Sequence, residues 1–148
     1  MAYSAFFKVG QIKGEATGPP PYANWIELDS WSWGASRASN AVGVPEKLSI
    51  QSFSFTARVG GHSAKLLELL ASAEVSPPPV KLAVTKIQTK NELPALQMTA
   101  DFTDVLLSVY DIGENSGDIP MEQVSFDFSQ ITLLTGKNLV VVPPPRPG

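Results

Sequence analysis

Six segments of the chain read as strands, and in three of them the apolar alternation changes sides part-way along. Tyr3 to Val9, Trp25 to Ala35, Lys47 to Val59, Val80 to Gln88, Gln97 to Ile112 and Met121 to Thr135 are rich in Val, Ile, Phe, Trp and Thr. Gly, Pro, Asn or Asp bounds each of them. In the last segment Val124, Phe126 and Phe128 share one face, whereas Ile131 and Leu133 fall in the opposite phase. The same change occurs where Ile26 and Leu28 give way to Trp31 and Trp33, and where Leu48 and Ile50 give way to Phe53 and Phe55. A strand that changes phase carries a bulge or a sharp bend, as at the corner of a small closed barrel where one strand serves two sheets. Without a bend, both faces are apolar. Leaving Val124, Phe126 and Phe128 in water forgoes about 1.5–3 kcal/mol each, a sum comparable with a domain's whole stability of about 5–15 kcal/mol. Either a helix, a bend that returns the row to the core, or a neighbouring subunit must cover them.

One segment has a different period. From His62 to Ala73, Leu66, Leu67, Leu70 and Ala73 recur at helical spacing, Leu69 widens the stripe, and Lys65, Glu68 and Ser72 take the other face. This predicts one short amphipathic helix, with Ser63 as its N-cap after Gly60 and Gly61. Prolines at 19–21, 45, 77–79, 94, 120 and 143–145 mark the boundaries between elements, since proline cannot donate to a sheet ladder. The expectation is a single domain over residues 1–142 and a proline-rich tail over 143–148, whose composition suits either a solvated end or a polyproline II ligand.

Composition excludes several kinds of chemistry. A chain of 148 residues buries roughly 68% of its unfolded surface, enough for one core. The absence of cysteine removes disulfides, thiolate metal sites and a cysteine nucleophile, and the single histidine, His62, removes a multi-histidine metal site within one chain. A net charge of −3, with Lys and Arg scattered singly, provides no footprint for nucleic acid. Nowhere do about 18 apolar residues run together, so no membrane insertion is expected. The amino terminus lacks the basic segment and the long apolar core of a signal peptide, which predicts synthesis in the cytoplasm.

No catalytic set emerges. His62 reads as a solvated residue at the helix start. Asp101 and Asp104, three apart on a strand, point to opposite faces and cannot share a substrate. The loop from Asp111 to Glu122 has Asp, Asn and Glu at the first, fifth and twelfth positions of a calcium loop. It also has Gly113 where an oxygen ligand belongs and Ser116 where the turn glycine belongs, and it reads as a hairpin turn. No cofactor is expected. The residues alone therefore describe a mainly β domain with one helix, and with more apolar strand surface than a monomer hides easily, which favours assembly or binding over catalysis.

The order of certain short motifs resembles a known family. Ile12-Lys13-Gly14-Glu15 after the first strand, Trp31-Ser32-Trp33-Gly34, Ser52-Phe53-Ser54-Phe55-Thr56, a short helix, and Glu122-Gln123-Val124-Ser125-Phe126-Asp127-Phe128 are similar, in that order, to landmarks of the Hcp (haemolysin-coregulated protein) family of bacterial type VI secretion systems. They span Tyr3 to about Leu134. The chain departs from the family pattern at the helix start, Ala57 to Leu66, and after Leu139.

The resemblance implies a compact antiparallel β-barrel of two sheets with one flanking helix, assembled six to a ring. Rings would stack into a hollow tube that carries a spike, sits inside a contractile sheath on a baseplate, and leaves the cell through the type VI machine when the sheath shortens. Small effector proteins would travel in the lumen. On this basis Ser32 is a candidate lumen residue, and Trp31, Trp33, Val124, Phe126 and Phe128 are candidates for the core or a subunit interface. The loop carrying Ser36, Ala38, Ser39, Asn40, Gly43 and Glu46 would be a flexible arm that orders on the next ring. The rival readings are a tail-tube protein of a phage or of an extracellular contractile injection particle, and a small monomeric β-barrel ligand carrier.

Overall fold

The computed structural model describes residues 3–16, 22–39, 45–86, 95–114 and 119–142. Along them run β1 (Tyr3–Val9), β2 (Ile26–Ser32), β3 (Ala35–Ser39), β4 (Pro45–Ile50), β5 (Phe53–Arg58), α1 (Gly61–Ser72), β6 (Val80–Lys86), β7 (Ala95–Thr103), β8 (Leu106–Gly113), β9 (Met121–Asp127), β10 (Gln130–Thr135) and β11 (Asn138–Val142). Two of the three phase changes are corners between strands, from Ile50 to Phe53 and from Asp127 to Gln130, and the third, between Leu28 and Trp31, is a register shift inside β2. Six expected segments become ten strands, because four of them divide, at Gly34, Gln51, Asp104 and Ser129, and β11 makes the eleventh. β11 lies in the apolar run Leu139 to Val142, which lacks the polar alternation that marks a strand.

Nine strands form one antiparallel sheet in the order β11-β10-β7-β6-β1-β2-β5-β9-β8, and β3 and β4 form a second, two-stranded sheet. The corners explain how the large sheet encloses a core. β7 and β10 pair up to Thr103 and Gln130, and β8 and β9 resume from Leu106 and Asp127 in the same register. Two long strands thus bend together at residues 104–105 and 128–129, joining opposite ends of the sheet. The corner is tied by Ser129, whose N–H donates to the Thr103 carbonyl at 2.9 Å and whose Oγ donates to Asp104 Oδ2 at 2.9 Å. Asp104 takes a left-handed backbone with φ of 54°. Among the described residues no ladder pairs β8 with β11, and the two sides of the sheet are connected through this fold in the strands.

The bend decides what covers the apolar rows. Val124 and Phe126 before the corner, and Ile131 after it, are all buried in one core. Of the three possible covers, the bend is the one used by this segment: the flip in parity matches the flip in strand direction, and both phases point inward. The centre of the core is aromatic. Phe126 lies with ring centroids 5.1 Å from Phe53, 5.1 Å from Phe102 and 5.5 Å from Phe7. Such pairs add about 0.5–1.5 kcal/mol each beyond burial. Phe128 sits half-buried at the corner, 5.0 Å from Phe102 and 6.1 Å from Trp33.

The second sheet continues the first. After Ser32 pairs with Ser54, the Gln51 N–H donates to the Gly34 carbonyl at 3.0 Å, and Ala35 pairs with Ile50. The segment expected as a flexible arm is thus a β-hairpin in its described part: Ser36, Ala38 and Ser39 belong to β3 and Glu46 to β4, while Asn40 and Gly43 lie outside the described residues. Pro45 opens β4, where the first residue of a strand tolerates a missing donor.

The helix differs from expectation at both its cap and its stripe. Gly60 holds the cap position, and its N–H donates to Ser63 Oγ at 3.0 Å from the third helical residue. His62, Ser63 and Leu66 are buried, whereas Leu67 is 49% exposed. Two polar residues head the inward stripe, so hydrophobic spacing alone sets it a step out of phase.

A close approach pins the turn after β1 to the start of β2. A Cβ at Gly14 would stand 2.3 Å from the Trp25 carbonyl oxygen and 2.5 Å from its carbon, so backbone must move. Gly14→Ala is expected to cost about 1–3 kcal/mol, the overpacking range, and urea midpoints would measure it. Gly113→Ala, with nothing within 4 Å of the added carbon, is the control and should stay within about 0.5 kcal/mol.

Candidate assembly surface

Strand alternation puts hydroxyl groups on the outer face of β2, β5 and β9. Because Phe53, Phe55, Val124 and Phe126 point inward, Ser54, Thr56, Gln123 and Ser125 point outward, and cross-strand pairing brings Ser30 and Ser32 beside them. The Ser30 and Thr56 hydroxyls are 2.6 Å apart, and those of Ser54 and Ser125 are 2.7 Å apart. A Ser32–Ser54–Ser125 row and a Ser30–Thr56–Gln123 row thus run side by side. The surface is short-chained, with hydroxyls that both donate and accept, and with charge toward its margins at Glu27, Asp29, Arg58, Asp111 and Asp127. The Ser52 hydroxyl donates to Asp127 at one of those margins.

This face contains Ser32. Its neighbours Ser30, Ser54, Thr56 and Ser125 were not singled out from the sequence, although hydroxyls at every second position opposite a Phe-x-Phe pattern carry the signal. Trp31 points to the other side, in register with Phe55, and stacks on Phe53 at 6.2 Å. It is 38% exposed: the core opens at this end and leaves one side of the indole uncovered. Trp33 is half-buried against the core, and its Nε1 has no hydrogen-bond partner among the described residues.

Apart from Trp31 and the scattered Tyr3, Leu67, Val75 and Ile119, the large exposed apolar side chains lie on the edges of the large sheet. β8 shows Leu106, Val109 and Ile112, and β11 shows Leu139 and Val140, the most exposed being Leu139 at 65%. These are the two terminal strands in the sheet order. An apolar edge without charges or prolines is a template for pairing with another chain, and β11, Asn-Leu-Val-Val-Val, has neither.

Beneath the hydroxyl face lies a polar cluster that couples helix to sheet. His62 Nε2 hydrogen-bonds Glu122 Oε1, and the Tyr110 hydroxyl donates to Glu122 Oε2 at 2.7 Å. His62 and Glu122 are buried, so the expectation of a solvated histidine is overturned. Its partner is 60 positions away, out of reach of local pattern. Burial raises the Glu122 carboxyl, but hydrogen bonds from His62, Tyr110 and Ser63 and the attraction of His62 outweigh that and hold it below its ordinary value. Burial, and then the Glu122 carboxylate, push the Tyr110 phenol up, which keeps it a donor. This cluster faces the seam under α1, on the opposite side of β9 from Gln123 and Ser125.

Asp101 and Asp104 are exposed on and beyond β7, Asp101 lying 3.7 Å from Lys81 Nζ. Among the described residues no group of three or more His, Asp or Glu could hold a metal ion, and no helix is long and apolar enough to cross a membrane.

A family model described as "Type VI secretion system effector, Hcp" matches residues 6–134. Among solved structures the chain is similar to one described as the crystal structure of Hcp protein, with a TM-score of 0.80, 16% identity, and 95% of this chain and 96% of that chain covered. It is also similar to Hcp1 from Salmonella typhimurium (TM-score 0.75, 23% identity, 95% and 92% covered). A type VI secretion system effector from Yersinia pestis gives a TM-score of 0.70 at 20% identity, with 93% and 96% covered. A search of curated proteins gives no match. The structural likenesses carry the fold, and the family model, spanning most of the sequence, carries descent: the chain belongs to the Hcp family of type VI secretion system effectors.

Proposed function

We propose that this protein is a tube subunit of a type VI secretion system, six copies forming a ring whose central hole is faced by the Ser32–Ser54–Ser125 surface. The supporting observation is the placement of two apolar, unpaired edge strands at opposite ends of one sheet, β8 and β11. An edge-to-edge contact between unlike strands is heterologous, and repeated by rotation it closes into a ring. The hydroxyl face then has a use that a catalytic reading lacks: a short, hydrogen-bonding wall with little charge at its centre accommodates many passengers without gripping one. Stacked rings would form the tube, expelled with its spike when the surrounding sheath contracts, and small effector proteins would ride inside. The single-copy ligand carrier is disfavoured because the interior such a carrier would use is filled by Phe7, Phe53, Phe55, Phe102 and Phe126.

Native mass spectrometry at micromolar concentration tests this. The expected particle holds six copies. Leu139→Lys with Val140→Lys should reduce it to single copies with an unchanged circular dichroism spectrum, because both side chains are exposed in the protomer and their loss removes no core contact. A wild-type mass of one copy rejects the tube reading.

A further inference from the structure

A cleft of about 380 Å³ opens at the start of α1, between the turn after β1 and the ends of β2 and β5. Three carboxylates, Glu15, Glu27 and Asp29, face it, with a single guanidinium, Arg58, opposite them. Glu15 is already engaged, accepting the Gly61 N–H at 2.7 Å. His62 also lines the cleft; it is 4% exposed, its Nε2 is taken by Glu122, and its Nδ1 has no hydrogen-bond partner among the described residues. The cleft thus holds more negative than positive charge, together with a buried ring nitrogen left open.

At the far end of the same β2–β5 ribbon, the β3–β4 hairpin carries Arg37, which is exposed and has no ion-pair partner among the described residues. Eight residues of extended chain separate Asp29 from Arg37, or roughly 26 Å at about 3.3 Å per residue. One copy therefore cannot close this contact on itself. Two copies can, and since the complementary features sit at opposite ends of one ribbon, the contact repeats in the same sense without closing, which is the geometry of a head-to-tail stack.

We propose that Arg37 of one copy enters the acidic cleft of a second copy of this chain, pairing with Glu27 and Asp29, and that this ion pair sets the register between stacked rings. The inference rests on the tube reading above and adds its receptor site. A guanidinium suits the cleft because it donates to several acceptors at once and remains charged, and exposed pairs of this kind steer docking and weaken with salt.

The chain has no cysteine, so an engineered pair reports on the contact without background. Full-length protein carrying Arg37→Cys and Asp29→Cys, mildly oxidised at high concentration, should give intermolecular cross-links at least tenfold above either single variant. Arg37→Cys with Glu27→Cys provides a second pair. In parallel, Arg37→Glu should shorten stacks seen by electron microscopy at least fivefold while the particle mass stays at one ring, and Glu27→Arg with Asp29→Arg in the same chain should restore them. Cross-linking no greater than in the single variants, in both pairs, overturns the inference. If six copies are still counted by native mass spectrometry, the ring reading survives that result. If single copies are counted, the ring reading falls whatever the cross-links show.

Discussion

Phe126→Ala is expected to lower the free energy of unfolding by about 3–5 kcal/mol, the range for truncating a buried aromatic ring. The ring is 1% exposed and meets Phe7, Phe53 and Phe102 at centroid distances of 5.1–5.5 Å. Those four come from β1, β5, β7 and β9, strands drawn from both sides of the corner, so the cavity would fall where the folded sheet is held shut. Against a typical domain stability of about 5–15 kcal/mol, the loss leaves little margin. Urea titration followed by tryptophan fluorescence measures it. Phe126→Leu should cost less, because leucine refills part of the volume, and Trp31→Ala less still, since that indole is already part-exposed. A loss below about 1 kcal/mol for Phe126→Ala would show that the corner does not direct this row inward.

Removing Glu122 should have the second largest effect on the fold. Glu122→Ala strips partners from His62 Nε2 and the Tyr110 hydroxyl together, and a buried polar group left unsatisfied costs about 1–3 kcal/mol, more where charge is involved. About 3 kcal/mol is expected. Glu122→Leu with His62→Leu should recover part of it, because replacing both partners of a buried polar pair by apolar groups approaches neutrality. The pH dependence follows from the direction of the shift. Glu122 is held below its ordinary carboxyl value in the folded protein, so its contribution is fully present above the unfolded value of about 4.5 and disappears as pH falls through the lower, folded value. Wild type should therefore lose more stability than Glu122→Gln on acidification below about pH 4.5. Parallel acid profiles for the two would refute a stabilising role for the ionised form.

The structure also shows where local pattern is a good guide and where it is blind. A change of phase is a property of neighbouring residues, so the register shift after Leu28 and the bends near Gln51 and Ser129 are legible in the sequence. What covers the two phases is not a local property. The bend competes with a helix and a neighbouring chain for the same apolar row, and only the matched register of Thr103 with Gln130 and Leu106 with Asp127 shows that it wins. β11 is not legible locally because a short apolar run without alternation looks the same in a strand as in any other conformation. The helix's inward face lies one step away from the stripe that hydrophobic spacing marks, because His62 and Ser63, polar in isolation, become buried once His62 pairs with Glu122 and Ser63 Oγ accepts the Gly60 N–H.

The candidate site divides in the same way. Ser32 could be assigned to the outer face from its position between two tryptophans, yet the rows that make the face a surface need the partners Ser54 and Ser125, which are 22 and 93 positions further on and meet only by pairing across strands. Periods of two and 3.6 residues, proline boundaries and the absence of cysteine therefore determined the class of the fold, its helix and its corners, since each is set within a few residues of chain. The tertiary structure alone decided which apolar rows meet, which edges remain open and that the lone histidine is buried on the inward face of its helix, since those depend on contacts between distant residues whose energies exist only after the chain has closed on itself.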